Sequence, residues 1–296
     1  MSELMRLVEI FSVMVLGISC GHYTPPLVSG TALGEVDKRL TEASGLVASI
    51  NNPGYFWTLN DSGNKAEIFL IDQHAQIRLA CTLTGASNGD WEDIGIDQGE
   101  DGKAYLYIAD IGDNFSKKAT KVIYRLEEPV AATQVAATQT EIVVDTVDRF
   151  QFSLSDGPHD AEAILIDPKS HELFVVSKSP KEANLYKAPY PLTTGSMTFT
   201  NVGTFPLGQI VAGNISADGD HVLLKSYQKV YYWKRTIGQP LASLLTMPAV
   251  ELPYEPEPQG EAIAWSLDGK KFYTLSESTF GIRASLIVHV KDSITH

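Results

Sequence analysis

The sequence predicts an all-β fold, a five-bladed β-propeller, and three observations support that prediction. Apolar and polar residues alternate along short segments such as "KVIYRLEE" and "TEIVVDTVDRFQFSL", the period-two spacing of strands. No long amphipathic helical pattern interrupts them. The third observation is repetition: a Glu, a short apolar run, a turn with Asp, Gly or Pro, and a second run ending in polar residues recur along the chain. Internal repetition built from short strands marks a propeller.

The repeat is clearest in "DWEDIGIDQGEDGKAYLYIADIGDN" at 90–114, "DAEAILIDPKSHELFVVSKS" at 160–179 and "QGEAIAWSLDGKKFYTLSES" at 259–278. In "EASGLVASINNPGYFWTLNDSGN" at 42–64 a Ser stands in the Glu position, and in "QIVAGNISADGDHVLLKSYQKVYYW" at 209–233 a Val does. The equivalent positions are Ser44, Glu92, Glu162, Val211 and Glu261, separated by 48, 70, 49 and 50 residues. The long interval holds "AATQVAATQTE" at 131–141, which reads as a surface insert. If that interval hid a further unit, the ring would have six blades.

The first four units supply four strands each, in order. The first gives "SGLVASI", "YFWTLND", "AEIFLID" and "IRLACTL"; the second gives "EDIGID", "AYLYIAD", "KVIYRLE" and "RFQFSL". The third runs from Glu162 through "LFVVSK" and "ANLYKAP" to "MTFTNVGTF". The fourth covers "VAGNIS", "HVLLKSY", "KVYYWKR" and a segment around "LLTMPAVELP". The last has room for only three: "EAIAWS", "KFYTLSE" and "ASLIVHV". The N-terminal segment 22–40 is expected to provide its rim strand, closing the ring and hiding two sheet edges.

A chain of 296 residues with 44% hydrophobic content can build one large core, and the repetition argues for a single domain over 22–296. The net charge of −13 opposes nucleic-acid binding, since phosphates would be repelled. Upstream, "LVEIFSVMVLGISCG" is too short to span a bilayer and has signal-peptide proportions, giving a 1–20 signal segment. Cys20 at its end resembles a bacterial lipoprotein acylation site, so the expected protein is extracytoplasmic, with an N-terminal lipid as its only membrane attachment. Cys81 reads as a small apolar filler. A monomer is expected.

If the repeated positions face one axis, Ser44, Glu92, Glu162 and Glu261 form a candidate metal ring. Residues two places earlier share their strand face, which adds Asp90 and Asp160. Crowded carboxylates must be protonated, hydrated or bridged by a cation. A hard divalent ion, calcium, is the expected cofactor, since it accepts oxygen ligands in loose geometry. Second strands run back to the same mouth and end in Asn60 and Asp61, in Asp110 with Asp113 and Asn114 beyond it, near Lys178 and Lys225, and at Glu277. The two lysines suit an anionic ligand, and Asp61 or Asp110 suits a general base.

The series Ser44, Glu92, Glu162, Val211, Glu261 resembles the Ser, Glu, Glu, Ser, Glu series of secreted calcium-dependent nucleotidases of the apyrase type, which are five-bladed propellers. Val211 departs from it. "EASGL", "DWEDI" and "GEAIAWSLDGKKFYTLSE" resemble, more closely, uncharacterised exported bacterial propellers, related in style to phytase-like esterase and lactonase propellers. The resemblance implies a calcium-dependent hydrolase of a small phosphorylated or ester substrate. In that role Glu92, Glu162 and Glu261 would hold the metal, while Asp61, Asp110, Lys178 and Lys225 would serve the reaction. The alternative is a non-catalytic propeller binding a ligand or a protein partner around a structural calcium. No nucleophile elbow, cysteine–histidine pair or phosphate-cradling glycine loop separates the two.

Overall fold

The computed structural model describes residues 30–131, 140–278 and 283–290; the signal segment, Cys20 and most of the 131–141 insert lie outside them. The chain runs through β1 (Gly30–Glu35), β2 (Ala43–Ala48), β3 (Phe56–Asn60), β4 (Glu67–Ile71) and β5 (Ile77–Leu83). It continues through β6 (Trp91–Gln98), β7 (Ala104–Asp110), β8 (Lys121–Glu127), β9 (Glu141–Val144) and β10 (Asp148–Leu154). Next come β11 (Ala161–Asp167), β12 (Glu172–Ser177), β13 (Ala183–Lys187) and β14 (Ser196–Phe205). β15 (Ile210–Ile215), β16 (His221–Ser226), β17 (Val230–Lys234), a short helix at Leu241–Leu245 and β18 (Val250–Leu252) follow. The last strands are β19 (Gly260–Trp265), β20 (Lys271–Ser276) and β21 (Ser285–Val290).

These strands form antiparallel meanders in the orders β2-β3-β4-β5, β6-β7-β8-β10, β11-β12-β13-β14, β15-β16-β17-β18 and β19-β20-β21-β1. Two parallel pairings tie outer strands together. β10 pairs with β14, fusing two meanders into an eight-stranded sheet, and β9 adds to β5. The extra length of the second unit therefore yields β9, which lies in the alternating run 140–154 but outside the four strands expected of that unit. β1 pairs antiparallel with β21, so the two described ends of the chain close one sheet.

The leading strands lie around one axis: β2 touches β6, β6 touches β11, β11 touches β15, β15 touches β19, and β19 touches β2. They are buried on both faces; all six residues of β2 and of β19 are inaccessible. Apolar layers fill the wedges between neighbouring sheets. Trp57 and Trp91 pack with Tyr124 in one, and Phe152 and Phe199 pack with Tyr186 in another. Polar side chains also bind one sheet to the next. Asp93 accepts from the backbone N–H of Ile164 at 2.9 Å, Asn214 Oδ1 accepts from Trp265 N at 2.9 Å, and the Ser44 hydroxyl donates to the Glu92 carbonyl. This arrangement is a propeller-like, all-β fold.

One irregularity repeats. In each leading strand the ladder skips a residue: Gly45 in β2, Glu92 in β6, Glu162 in β11, Val211 in β15 and Glu261 in β19. A bulge of this kind removes one residue from the alternation and re-aims its side chain. In β2 the bulge falls on Gly45, at φ +72, where a Cβ would lie 2.7 Å from Ile94 N.

Candidate functional site

The bulges place Glu92, Glu162 and Glu261 at one mouth of the ring, each buried to within a few per cent. Around Glu92 three carboxylates converge: one oxygen each from Asp61, Asp90 and Glu92 lie within 4.8 Å of one another. Asp61 comes from the end of β3, and Asp90 and Glu92 from the start of β6. Gly112 makes room for them, since a Cβ there would sit 1.9 Å from Glu92 Oε1 and 2.8 Å from Asp90 Oδ2. Lys118 Nζ stands 2.7 Å from Asp90 Oδ2 at the exposed edge.

The electrostatics follow from this crowding. Burial holds the Glu92 carboxyl well above the usual carboxylate range, and the charges of Glu162, Asp61, Asp90 and Glu261 push it further. Asp61 is raised to about 6, by burial first; the Ser62 N–H opposes this, while Asp90, Glu261 and Glu42 add to it. Such a group binds either protons or a cation.

Beside it runs a chain of hydrogen bonds. Lys178 Nζ lies 2.7 Å from Glu162 Oε1 and 3.1 Å from the Tyr227 hydroxyl, which donates to Glu261 Oε1 at 2.6 Å. Burial raises the Glu162 carboxyl, with the Lys178 charge pulling it back. Burial works to lower Lys178, but its Glu162 partner outweighs that and keeps it charged. Glu277 is pushed up to about 8 by burial, then by Glu261, Asp61 and Glu42.

The other residues singled out from sequence lie around this cluster in different settings. Ser44 turns its hydroxyl to the Glu92 carbonyl, where it braces the ring. Asn60 is buried and bonds the backbone of Glu42 and Arg39. Asp110 accepts from Asp90 N at 3.0 Å, fixing the approach to Glu92; burial raises its carboxyl. Asp113 receives the N–H groups of Lys117 and Lys118, at 2.8 and 2.7 Å, and so shapes the loop carrying Lys118. Asp160 accepts from Asp113 N, and Asn114 is exposed.

Lys225 does not join the mouth. Its side chain is fully buried, donates to the Gly260 carbonyl, and lies 5.0 Å from the centre of the Tyr254 ring. The ladder explains why. The last paired residues of the second strands are Asn60, Asp110, Ser177, Ser226 and Ser276. Tyr227, the residue after Ser226, is the equivalent of Asp61, Lys178 and Glu277; after Asp110 the same place is taken by Ile111, which is buried among apolar side chains. Lys225 stands two places before Tyr227, between sheets. Tyr227, Lys118 and Gly112 were missed from sequence; counting one residue past each second strand would have found Tyr227.

Leading strands that meet around one axis, with an acidic cluster at one mouth, define a β-propeller with a charged axial site. No protein-family model matches the chain, and no curated protein matches it. The solved structures similar to the chain include two at 13% identity. The PQQ-bound aldose sugar dehydrogenase of Streptomyces coelicolor has a TM-score of 0.46, covering 90% of this chain and 100% of that one. The hydrazine synthase of Kuenenia stuttgartiensis has a TM-score of 0.41, covering 82% of each. The similarity to nucleotidases thus rests on the residues of this sequence alone.

Proposed function

We propose that the chain is a five-bladed propeller that binds a divalent hard cation, calcium, at its acidic mouth and hydrolyses a small anionic phosphorylated or ester-bearing molecule there. The observation that carries this is the convergence of Asp61, Asp90 and Glu92 within 4.8 Å. These three would be the direct ligands, with Glu162 and Glu261 contributing charge from behind. This set differs from a ring of Ser44, Glu92, Glu162 and Glu261, because the oxygens that converge are those of Asp61, Asp90 and Glu92, while Ser44 is turned to the Glu92 carbonyl and Glu162 and Glu261 are held by Lys178 and Tyr227. When bound, such an ion polarises a scissile group and lowers the pKa of its water.

The chain's own residues supply the rest. Lys118 is paired to Asp90 and partly exposed, so a cation on Asp90 would free its charge for the anion. Lys178 and Tyr227 are donors in reach of the same mouth, and they hold Glu162 and Glu261 in place. The expected export of the chain suits the reading, because weak extracellular calcium sites saturate in millimolar calcium.

The test is metal analysis of the purified chain, followed by turnover of nucleotide di- and triphosphates, phytate and aryl esters with calcium and then with chelator. Chelator-sensitive hydrolysis that disappears in Asp90→Asn supports the reading. Bound metal without turnover of any class would leave a non-catalytic binding propeller. Absence of stoichiometric metal would remove both.

A further inference from the structure

The opposite mouth of the ring carries a second site. Strand β6 begins at the acidic cluster and ends at Asp97 and Gln98, so Glu92 and Asp97 are about 16 Å apart along an extended strand. There the ends of the leading strands and the turns after them enclose a cavity of about 530 Å³, within the range of small-molecule sites. Its walls are mainly apolar, with Ile50, Ile96, Ile166 and Ile215 among them, and Leu267 stands at its rim, 38% exposed.

Two polar residues in that wall are arranged for recognition. Asp97 is buried, and its Oδ2 lies 2.7 Å from His171 Nδ1. Its Oδ1 is buried with no hydrogen-bond partner among the described residues. A carboxylate on Nδ1 fixes that nitrogen as the donor, which leaves Nε2 of the neutral ring as an acceptor.

The backbone at His171 supports a role for the side chain. Each hairpin between a leading strand and its second strand contains a residue in the left-handed region. In four it is glycine, at Gly54, Gly102, Gly219 and Gly269. In the hairpin from β11 to β12 it is His171, at φ +56. A side chain in that conformation costs about 1 kcal/mol that glycine would avoid. Nothing in the turn itself requires a histidine.

We infer that this cavity is a binding site for a neutral, mostly apolar small molecule bearing a hydroxyl or N–H group, with His171 Nε2 accepting that hydrogen and Asp97 holding the ring. Anions are disfavoured, because Asp97, Glu100 and Asp101 line this cavity and the one adjoining it across His171, where the cation Arg125 is paired with Asp148. The site is independent of any metal at the other mouth.

Naphthol is a suitable probe, with calorimetry on the full chain as the readout. Saturable binding is expected, unchanged by excess chelator, while methoxynaphthalene, which lacks the donor, binds about tenfold more weakly. That comparison needs no variant. His171→Gly should lose about tenfold in naphthol affinity; glycine accepts the backbone angle freely, but the buried Asp97 carboxyl loses its partner, so a melting curve is taken alongside to show that the variant is folded at the temperature of the titration. Leu267→Arg, with the dyad intact, should block the mouth and abolish binding. No saturable binding to the wild type, equal affinity for the ether, or undiminished binding by His171→Gly would each overturn the assignment.

Discussion

Gly112 lies so close to Glu92 that a Cβ added to it would meet Oε1 at 1.9 Å. The space that allows three carboxylates to converge is therefore the space of one missing methyl group. Gly112→Ala should displace the Glu92 carboxylate, which sits at the end of a flexible side chain, without unfolding the sheet. The expected outcome is a melting temperature within a few degrees of wild type and the loss of any calcium-induced rise. Melting curves with calcium and with chelator check it.

The raised carboxyls make a pH prediction. A carboxyl whose folded pKa lies above its unfolded value stabilises the fold fully below the unfolded value, and that stability is lost as pH rises through the folded one. Asp61 at about 6 and Glu277 at about 8, against ordinary values of 3.8 and 4.5, set the window. Chelated protein should thus lose stability steadily from about pH 4 to 8. Calcium should restore more at pH 8 than at pH 5. Urea unfolding across that range, with and without calcium, measures both.

Lys225 should matter to stability and not to the mouth. Burial lowers its ammonium to about 8 from an ordinary 10.5, against the attraction of Glu257 and Glu261. The unfolded chain therefore binds more protons between those values, and stability rises with pH there. Lys225→Met should remove this rise, so that the unfolding free energy increases less from pH 8 to 10 than in the wild type, and should leave calcium binding intact. Weakened calcium binding in this variant would place the residue at the site after all.

Glu128 holds the first two meanders together. One carboxylate oxygen accepts from Trp57 Nε1 at 2.8 Å and from the Ser49 hydroxyl, and the other accepts from Asn51 N at 2.7 Å. Glu128→Leu would leave the Trp57 and Ser49 donors buried and unpaired, at a cost of about 3 kcal/mol or more. Glu128→Gln keeps an acceptor and should cost less. Denaturant midpoints for the two variants, compared with wild type, give the order.

Much of the site was legible in sequence for a definite reason. The acidic positions recur at strand beginnings, and strand beginnings are set by local alternation. So Glu92, Glu162 and Glu261 could be placed at one mouth without coordinates. Which oxygens meet was not legible. Asp61, an expected base, lies instead among the carboxylates that could hold a metal, and Lys225, an expected anion partner, is shut between sheets. Tyr227 escaped notice because its importance depends on a hydrogen bond to Glu261, 34 residues away. The His171–Asp97 pair spans 74 residues and could not be found by any local pattern.

The amino-acid order by itself determined the strands, the repeating unit and the side chains that lead each unit, because alternation and turn chemistry act over a few residues. The tertiary structure decided which of those side chains touch. A bulge swings one residue out of register and a ring brings distant units within an ångström or two of contact, and neither effect is written in the spacing of residues along one strand.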